Sequence, residues 1–279
     1  MSHHTNHSRQ LTIDFCQSIS EFVGQAESLG DFVNPDDFRE AKGLQKFQVV
    51  RTGLDLITGE PADGGMKFFQ PLSPEEVYSM LEKNNIKIAD DTPTDPEDVY
   101  NIEGGWNLLA DIRDYADLQY ANSPNSVWKA AEFPQICKRI QEAKGNHRDR
   151  RYDIRDGYDI QDGKTTHISC VVVLDYRFED EKLARAELIS ITSTTLEKLS
   201  EPGFEDHLYC PVLLISVASR QLRIISALVD GSTSTIYIQV TPIITFNERF
   251  LARRGLGEGA DKTARILGWQ FGNPCGDTK

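Results

Sequence analysis

The sequence predicts a mixed-sheet α/β sandwich with an N-terminal helical extension, and three observations lead to this fold class. The chain has 279 residues, 39% of them hydrophobic, which is enough to bury a substantial core. From Ser123 onward, the hydrophobic patterns follow the order helix, strand, strand, helix, three strands, helix. One of these strands is a continuous apolar run, which is typical of a strand covered on both faces. Helices and strands in this order pack as layers around a mixed sheet.

That apolar run lies within residues 167–178 and is predicted to be the central strand. Its three consecutive valines favour a strand, because β-branched side chains are stiff and fit a pleated surface. The run ends abruptly at Asp175, and Arg177 follows two residues later. Residues two apart on a strand project to the same side, so this acid and this base are candidates for a site. The alternative interpretation is that the strand simply reaches solvent at Asp175.

Residues 1–100 are predicted to form an extension with helices and an acidic linker, before a main domain over residues 101–279. The polar residues 1–10 are expected to be a disordered tail without a secretory signal, whose histidines His3, His4 and His7 could bind metal weakly. The predicted elements that follow are a helix over 11–30, a strand over 47–50, a helix beginning at Ser73 and Pro74, and an exposed acidic linker over 89–98.

The main domain is predicted to begin with two helices, over residues 106–120 and from Ser123 to about residue 145, the second kinked at Pro134. Trp128 and Trp269 are interpreted as core residues of helices. A hairpin of strands 151–161 and 167–178 follows, joined by a turn at residues 161–164. The remaining elements are a helix over 180–199, strands over 209–217, 222–229 and 235–240, and a final helix over 260–271.

Composition limits the classes of function. The net charge of −13 opposes non-specific attraction to nucleic acid, although the basic residues between 138 and 151 could form a local patch; they are interpreted as a solvated loop. No apolar run is long enough to span a bilayer, so no membrane association is expected. The five cysteines lack metal-binding spacing and are predicted to be reduced, mostly buried thiols of an intracellular protein of the cytoplasm or nucleus.

Several short segments resemble a fungal family of PD-(D/E)XK nuclease-like proteins over about residues 106–271. The segment SPNSVW, ending at Trp128, resembles a family helix start, and VVLDYR, ending at Arg177, stands where the family has an apolar strand followed by Glu-x-Lys. The helix over 180–199, the strands after it and the segment ARILGW, ending at Trp269, resemble later family elements. The resemblance implies a restriction-endonuclease-like sandwich.

The family also implies Mg²⁺-dependent hydrolysis of phosphodiesters, in which two acids hold the metal and a lysine stabilises developing charge. Carried onto this chain, the second acid is Asp175 and the basic residue is Arg177. Candidates for the first acid are Asp153, Asp156 and Asp159. The resemblance therefore implies Asp153, Asp175 and Arg177 as catalytic residues and Asp153, Asp159 and Asp175 as metal ligands. A hairpin turn centred on Asp162 brings Asp153 nearest to Asp175, but the strand register decides whether they share a face.

The chain departs from the family pattern at four positions, and these departures indicate a degenerate site. Asp175 replaces glutamate, Arg177 replaces lysine and cannot act as a base, Asn125 replaces an acid, and Glu187 replaces a helix glutamine. Two alternatives remain open: a non-catalytic interaction protein of the same fold, or a repurposed enzyme acting on a small molecule in the same cleft. The hairpin aspartates could also be solvated charges that neighbouring arginines neutralise.

Overall fold

The computed structural model describes residues 3–25, 31–33, 47–83, 127–131, 152–160, 162–180, 182–246 and 258–279. The described helices are α1 (His3–Gln25), α2 (Pro74–Lys83), α3 (Arg185–Ser200) and α4 (Glu258–Gln270). The described strands are β1 (Phe32–Val33), β2 (Gln48–Gly53), β3 (Phe69–Gln70), β4 (Trp128–Ala131), β5 (Tyr152–Ile160), β6 (Ile168–Leu174), β7 (Leu183–Ala184), β8 (Val212–Ala218), β9 (Gln221–Asp230), β10 (Thr235–Val240), β11 (Ile244–Thr245) and β12 (Asn273–Pro274).

The main sheet is mixed, with the strand order β2-β10-β9-β8-β6-β5-β4, and β11 pairs with β9 beside this path. The pairs β2/β10 and β6/β8 are parallel, and the other neighbours are antiparallel. Helix α3 lies between the parallel strands β6 and β8 in sequence, as a parallel connection requires. This architecture confirms the predicted α/β class with a mixed sheet.

Each face of the sheet carries its own hydrophobic core. One core joins α1 and α3 to the sheet, for example Ile19 and Leu188 against Val172. The other joins α2 and α4 to the opposite face, where Leu267 packs in the same cluster as Val173. Because alternate residues of β6 enter different cores and all seven are buried, the prediction of a strand covered on both faces is confirmed.

The described residues among the first 83 contribute to the same sheet and to both cores. Strand β2 forms one end of the main sheet, α1 packs against α3, and β3 pairs with β12 near the end of the chain. The expected disordered tail is wrong from His3 onward, because residues 3–10 belong to α1. Arg9 on this first part of the helix donates a hydrogen bond to the carbonyl of Leu199, which holds it against the end of α3.

The helix predicted from Ser123 to residue 145 is wrong at Trp128–Ala131, which form β4 and pair antiparallel with β5. Tertiary contacts favour the strand here: the Trp128 indole donates a hydrogen bond to the Gly272 carbonyl at 2.8 Å and stacks on Phe69. The rest of this segment, the predicted helix over 106–120 and the acidic linker over 89–98 lie outside the described residues.

The other predicted elements are confirmed with shifted ends. The hairpin of β5 and β6, the three strands β8 to β10 and the final helix all form. The helix predicted over 180–199 begins instead at Arg185, because Leu183 and Ala184 pair with β1 as the short strand β7. Among the described cysteines, Cys16, Cys170 and Cys210 are buried and Cys275 is half-buried, and all are free thiols. None of the helices described has the length and apolarity needed to cross a membrane.

Candidate functional site

The register of the β5–β6 hairpin brings Asp153 to the end of β6 that Asp175 follows. Asp153 lies directly opposite Val173, and directly opposite residues share a face. Along the chain beyond β6, Tyr176 and Phe178 belong to the core on the α1 and α3 side, together with Leu174. Asp175 and Arg177 follow the strand in a bend and alternate in sequence with these core residues, so we infer that they face away from that core, toward the side of Val173 and Asp153.

These three polar residues differ in their exposure to solvent. Asp153 is only 8% exposed, Asp175 is half-buried, and Arg177 is exposed. Since Asp153 is the second residue of β5 and Asp175 directly follows the last residue of β6, the two acids lie near the same end of the hairpin. The arrangement offers a buried acid, a partly accessible acid and an accessible guanidinium along one face.

Asp159 is not brought to this edge. It is six residues from Asp153 along β5 and lies opposite Ile168, at the other end of β6, after a β-bulge between Arg155 and Gly157. The five-residue offset between Ile168 and Val173 corresponds to about 16 Å along the strand. The bulge also moves Asp159 to the opposite face of the sheet from Asp153. The predicted metal ligands Asp153, Asp159 and Asp175 therefore cannot share one ion.

Asp159 instead takes part in a partly buried ion-pair network. Its carboxylate lies 2.7 Å from the ammonium of Lys198, on α3, and 3.7 Å from that of Lys129. Burial lowers the pKa of Lys198, but hydrogen bonds and charge from Asp159 and Glu201 outweigh burial, so the net pKa is raised. Lys198 also lies over the ring of Phe204, 4.0 Å from its centroid. We interpret Asp159 as a structural residue that joins α3 to the sheet.

Asp156 falls between the two paired residues Arg155 and Gly157, inside the bulge, so it has no opposite residue on β6. Its side chain lies outside what the structure describes. The register nevertheless shows why the first-acid position was ambiguous from sequence. The bulge adds one residue to β5, and an uninterrupted alternation would have put Asp153 and Asp159 on the same face.

The helix acid Glu187 forms a buried pair with an arginine that the sequence analysis did not single out. Both Glu187 oxygens accept hydrogen bonds from Arg223, at 2.8 Å from Nε and 2.5 Å from a terminal nitrogen, and both side chains are almost fully buried. Glu187 also accepts from the backbone N–H of Ala184. The positive charge of Arg223 balances the negative charge of Glu187. The signal in the sequence was one arginine between the apolar residues Leu222 and Ile224.

This pair lies on the other side of the sheet from Asp175. Arg223 is opposite Ser216, which is opposite Val172, and Val172 belongs to the core of the α1 and α3 side. The guanidinium of Arg223 stacks over Phe178, 4.6 Å from the ring centroid. Glu187 is thus separated by the sheet from the edge formed by Asp153 and Asp175.

The donor set limits which metal the edge could hold. Within the described residues, no group of three or more histidine, cysteine, aspartate or glutamate side chains is arranged to hold a metal ion. Two carboxylates, however, fit the usual binding of Mg²⁺, which takes one or two carboxylates and fills its remaining positions with water and substrate phosphate. Asp153 and Asp175 are the residues that would hold such an ion.

A large cleft in the described structure lies elsewhere. It has a volume of about 990 Å³ and is lined by residues of β2, β10 and the following loops, including Arg51, Asp55, Arg223 and Thr241. Asp153, Asp175 and Arg177 are not among its described lining residues. The candidate metal ligands and the large cleft therefore lie in different parts of the structure. The acids are the stronger indication of function, because a phosphodiester backbone can be bound at an open edge.

Comparison with known proteins found no matching family model, no matching curated protein and no matching solved structure.

Proposed function

We propose that the protein is a nuclease-like phosphodiester hydrolase with a reduced, Mg²⁺-dependent site formed by Asp153, Asp175 and Arg177. The single observation supporting this is the hairpin register, in which Asp153 lies opposite Val173, two residues before Asp175. The proposal includes a restriction-endonuclease-like form of the α/β sandwich. It rests further on the order of β5, β6, α3 and β8, with β6 and β8 parallel.

Each residue has a distinct role in this proposal. Asp153 and Asp175 supply hard oxygen ligands, and Mg²⁺, when bound, supplies polarisation of the phosphate and a lower pKa for bound water. Arg177 offers two parallel N–H donors to a phosphate and stabilises charge that develops on it. Because a guanidinium stays protonated, Arg177 does not remove the proton from water.

The proposed site has fewer and shorter ligands than an intact site of the nuclease-like family would have. Asp175 reaches one methylene less far than a glutamate at this position, and Asp159 belongs to the Lys198 network instead of the edge. A net charge of −13 also weakens the approach of a polyanion. We therefore expect slow hydrolysis and a requirement for millimolar metal.

The second candidate is a non-catalytic interaction protein of the same fold. It is favoured by the small ligand set at the edge and by the position of the large cleft, which lies away from Asp153 and Asp175. In this case Asp175 and Arg177 would be surface charges, and neither would affect metal binding.

Calorimetric titration with Mn²⁺ separates the two candidates. We expect the wild type to bind one ion in the millimolar range or tighter, and Asp175→Asn to bind at least about tenfold more weakly, since it removes one charged ligand. Asp153→Asn should show a similar loss. Asp63→Asn is the matched control, because Asp63 is an exposed loop acid whose carboxylate accepts a local backbone hydrogen bond from Gly65.

A cleavage assay on single- and double-stranded oligonucleotides follows, with Mn²⁺ present. We expect Arg177→Lys to keep part of the activity and Arg177→Gln to lose it, because the lysine retains a positive charge near the phosphate. Wild-type protein that binds no Mn²⁺ at millimolar concentration would refute the metal-dependent hydrolase. Equal Mn²⁺ affinity in wild type and Asp175→Asn would place the ion elsewhere.

A further inference from the structure

The segment between β6 and β7 carries two of the three residues of the proposed site, Asp175 and Arg177. In sequence they alternate with Tyr176 and Phe178, which are buried in the core on the α1 and α3 side of the sheet. Residues 175–179 lie outside the helices and strands. The placement of this segment therefore depends on the contacts of its buried side chains and its carbonyl groups.

Arg223, on β9, contacts the part of the segment that follows Arg177. Its guanidinium stacks over the ring of Phe178, with 4.6 Å between Cζ and the ring centroid. One terminal nitrogen donates a hydrogen bond to the carbonyl of Lys182 at 3.0 Å, and the other lies 3.5 Å from the carbonyl oxygen of Glu179. A single, almost fully buried side chain thus holds the segment at three points.

Glu187 fixes the orientation of that guanidinium. Its two oxygens accept hydrogen bonds from Arg223, and one of them also accepts from the N–H of Ala184, at the end of β7. A planar guanidinium held by two hydrogen bonds presents its remaining N–H group and its flat face in fixed directions. The contacts with Phe178 and with the Lys182 carbonyl therefore come from a preorganised group.

Tyr176 holds the other side of Arg177. Its ring packs edge-to-face on Phe32 of β1, with 5.4 Å between the centroids, and its hydroxyl donates to the carbonyl of Asp31 at 3.3 Å. Strand β1 pairs with β7, which follows the same segment. The backbone at Arg177 is therefore held between two anchored aromatic side chains, those of Tyr176 and Phe178.

We propose that Arg223 is a positioning residue of the site at Asp153 and Asp175. By holding Phe178 and the carbonyl of Lys182, it fixes the backbone at Arg177 and with it the direction in which Arg177 meets a phosphate. This inference rests on the proposed function. Arg223 lies across the sheet and does not contact the substrate, but a misplacement of about 1 Å can lower a rate by roughly a hundredfold.

Arg223→Lys tests this role without leaving a buried charge unpaired. Lysine keeps a positive charge beside Glu187, but its ammonium cannot stack as a plane on Phe178 while meeting both Glu187 oxygens. We expect hydrogen exchange to increase at residues 176–182 and to remain slow in β6 and β8. In the Mn²⁺-dependent cleavage of an oligonucleotide, we expect kcat/KM to fall at least about tenfold.

A comparison of double variants distinguishes positioning from a general loss of stability. If Arg223 acts through Arg177, Arg177→Lys should lower kcat/KM much less in the Arg223→Lys protein than in the wild type. Phe178→Leu removes the stacking partner but leaves the buried ion pair in place, and it should show the same coupling with Arg177→Lys. Additive losses in both comparisons would overturn the positioning role, as would wild-type activity in Arg223→Lys or unchanged hydrogen exchange at residues 176–182.

Arg265→Lys is the matched control, because it makes the same replacement in an ion pair with Asp261 on α4, across the sheet. It should cleave the oligonucleotide as the wild type does. A wild type that neither binds Mn²⁺ nor cleaves the oligonucleotide would overturn the proposed function and the positioning role together. Metal-dependent cleavage by the wild type with additive variants would overturn the positioning role alone.

Discussion

The carboxylate of Glu187 is completely buried at the first turn of α3, where it makes two interactions. It accepts the Ala184 N–H at the start of the helix, and it balances the charge of Arg223 on β9. The loss of hydration of two buried charges offsets most of the free energy of their attraction, so the pair adds little net stability while both partners are present. Removing one partner alone leaves a charge in the core, which is far more costly.

We therefore expect Glu187→Gln to lower the free energy of unfolding by about 3–5 kcal/mol. The amide keeps an acceptor for Ala184 but no longer balances Arg223. The double variant Glu187→Gln with Arg223→Met should recover much of this loss, because it leaves no unpaired charge. Urea unfolding followed by circular dichroism measures both.

Glu76→Gln on α2 is the matched control. Glu76 accepts the backbone N–H of Ser73 at 2.7 Å, as Glu187 accepts that of Ala184, and the Ser73 hydroxyl accepts the Glu76 N–H at 3.2 Å. Glu76 is exposed, whereas Glu187 is buried against Arg223. Its replacement should cost less than about 1 kcal/mol. A similar loss in the two single variants would show that the cap, and not the buried ion pair, determines the result.

At the scale of elements, the docking of α1 depends on one close approach of two backbones. The turn between β9 and β10 contains Gly231, whose N–H donates to the Thr12 hydroxyl at 3.1 Å. A Cβ at this glycine would lie 2.3 Å from the carbonyl oxygen of Leu11. Further along, the Ser20 and Thr192 hydroxyls hydrogen-bond at 2.7 Å where α1 crosses α3. The helix is held at both places.

We expect Gly231→Ala to push α1 away from the turn and to destabilise the protein by about 1–3 kcal/mol, which is typical of overpacking. Hydrogen exchange should increase selectively in α1 and remain slow in β6 and β8. Gly53→Ala is the control, because a Cβ there meets its nearest neighbour, the Ala62 Cβ, at 3.4 Å. Unchanged protection of α1 in Gly231→Ala would contradict this description of the docking.

Strand β4 shows where local patterns fail at this scale. Trp128 and Ala131 are three residues apart, which suits one face of a helix, and this segment was therefore predicted to be helical. The ladder with β5, the Trp128 indole bond to Gly272 and the packing on Phe69 all come from distant parts of the chain. Such contacts outweigh intrinsic propensity, and no local window contains them.

At the scale of the whole molecule, the end of the chain is fastened to the sheet through two histidines. His167, just before β6, is 2% exposed, and its Nε2 lies 2.7 Å from the Cys275 carbonyl. The Nδ1 of His207 lies 2.7 Å from the Thr278 hydroxyl. Burial lowers the pKa of His167 from 6.5 to about 4, so the buried ring stays neutral at physiological pH.

This lowered pKa makes global stability depend on pH. The unfolded chain takes up a proton at His167 below pH 6.5, whereas the folded protein does so only near pH 4. Stability is therefore fully present above pH 6.5 and falls as the pH decreases toward 4. The difference between the two pKa values corresponds to a total loss of about 3 kcal/mol from this group.

We expect the wild type to lose about 2–3 kcal/mol more than His167→Gln between pH 7.5 and 4.5, measured by urea unfolding at each pH. The glutamine amide can still donate to the Cys275 carbonyl but does not titrate. Comparing the two proteins cancels the contributions of His207 and of the carboxylates. Parallel stability profiles would show that another group carries the pH dependence.

The candidate site was only partly accessible to prediction. Asp175 and Arg177 were identified because charge follows the apolar run of β6, and the alternation of Tyr176 and Phe178 into the core agrees with their shared side. The bulge in β5 could not be foreseen, and it moves Asp159 to the opposite face of the sheet from Asp153. The role of Arg223 could not be predicted, because its ion-pair partner Glu187 lies 36 residues earlier in the chain.

The sequence by itself determined the α/β class, the positions of most strands and helices, and the double-sided burial of β6, because these follow from local apolar periodicity and turn residues. Only the tertiary structure decided that residues 128–131 form a strand, which aspartates share a face, and that Glu187 is neutralised. These depend on the register between strands and on contacts between distant segments. A shift of one residue reverses the face of every side chain beyond it, and local patterns leave that shift undetermined.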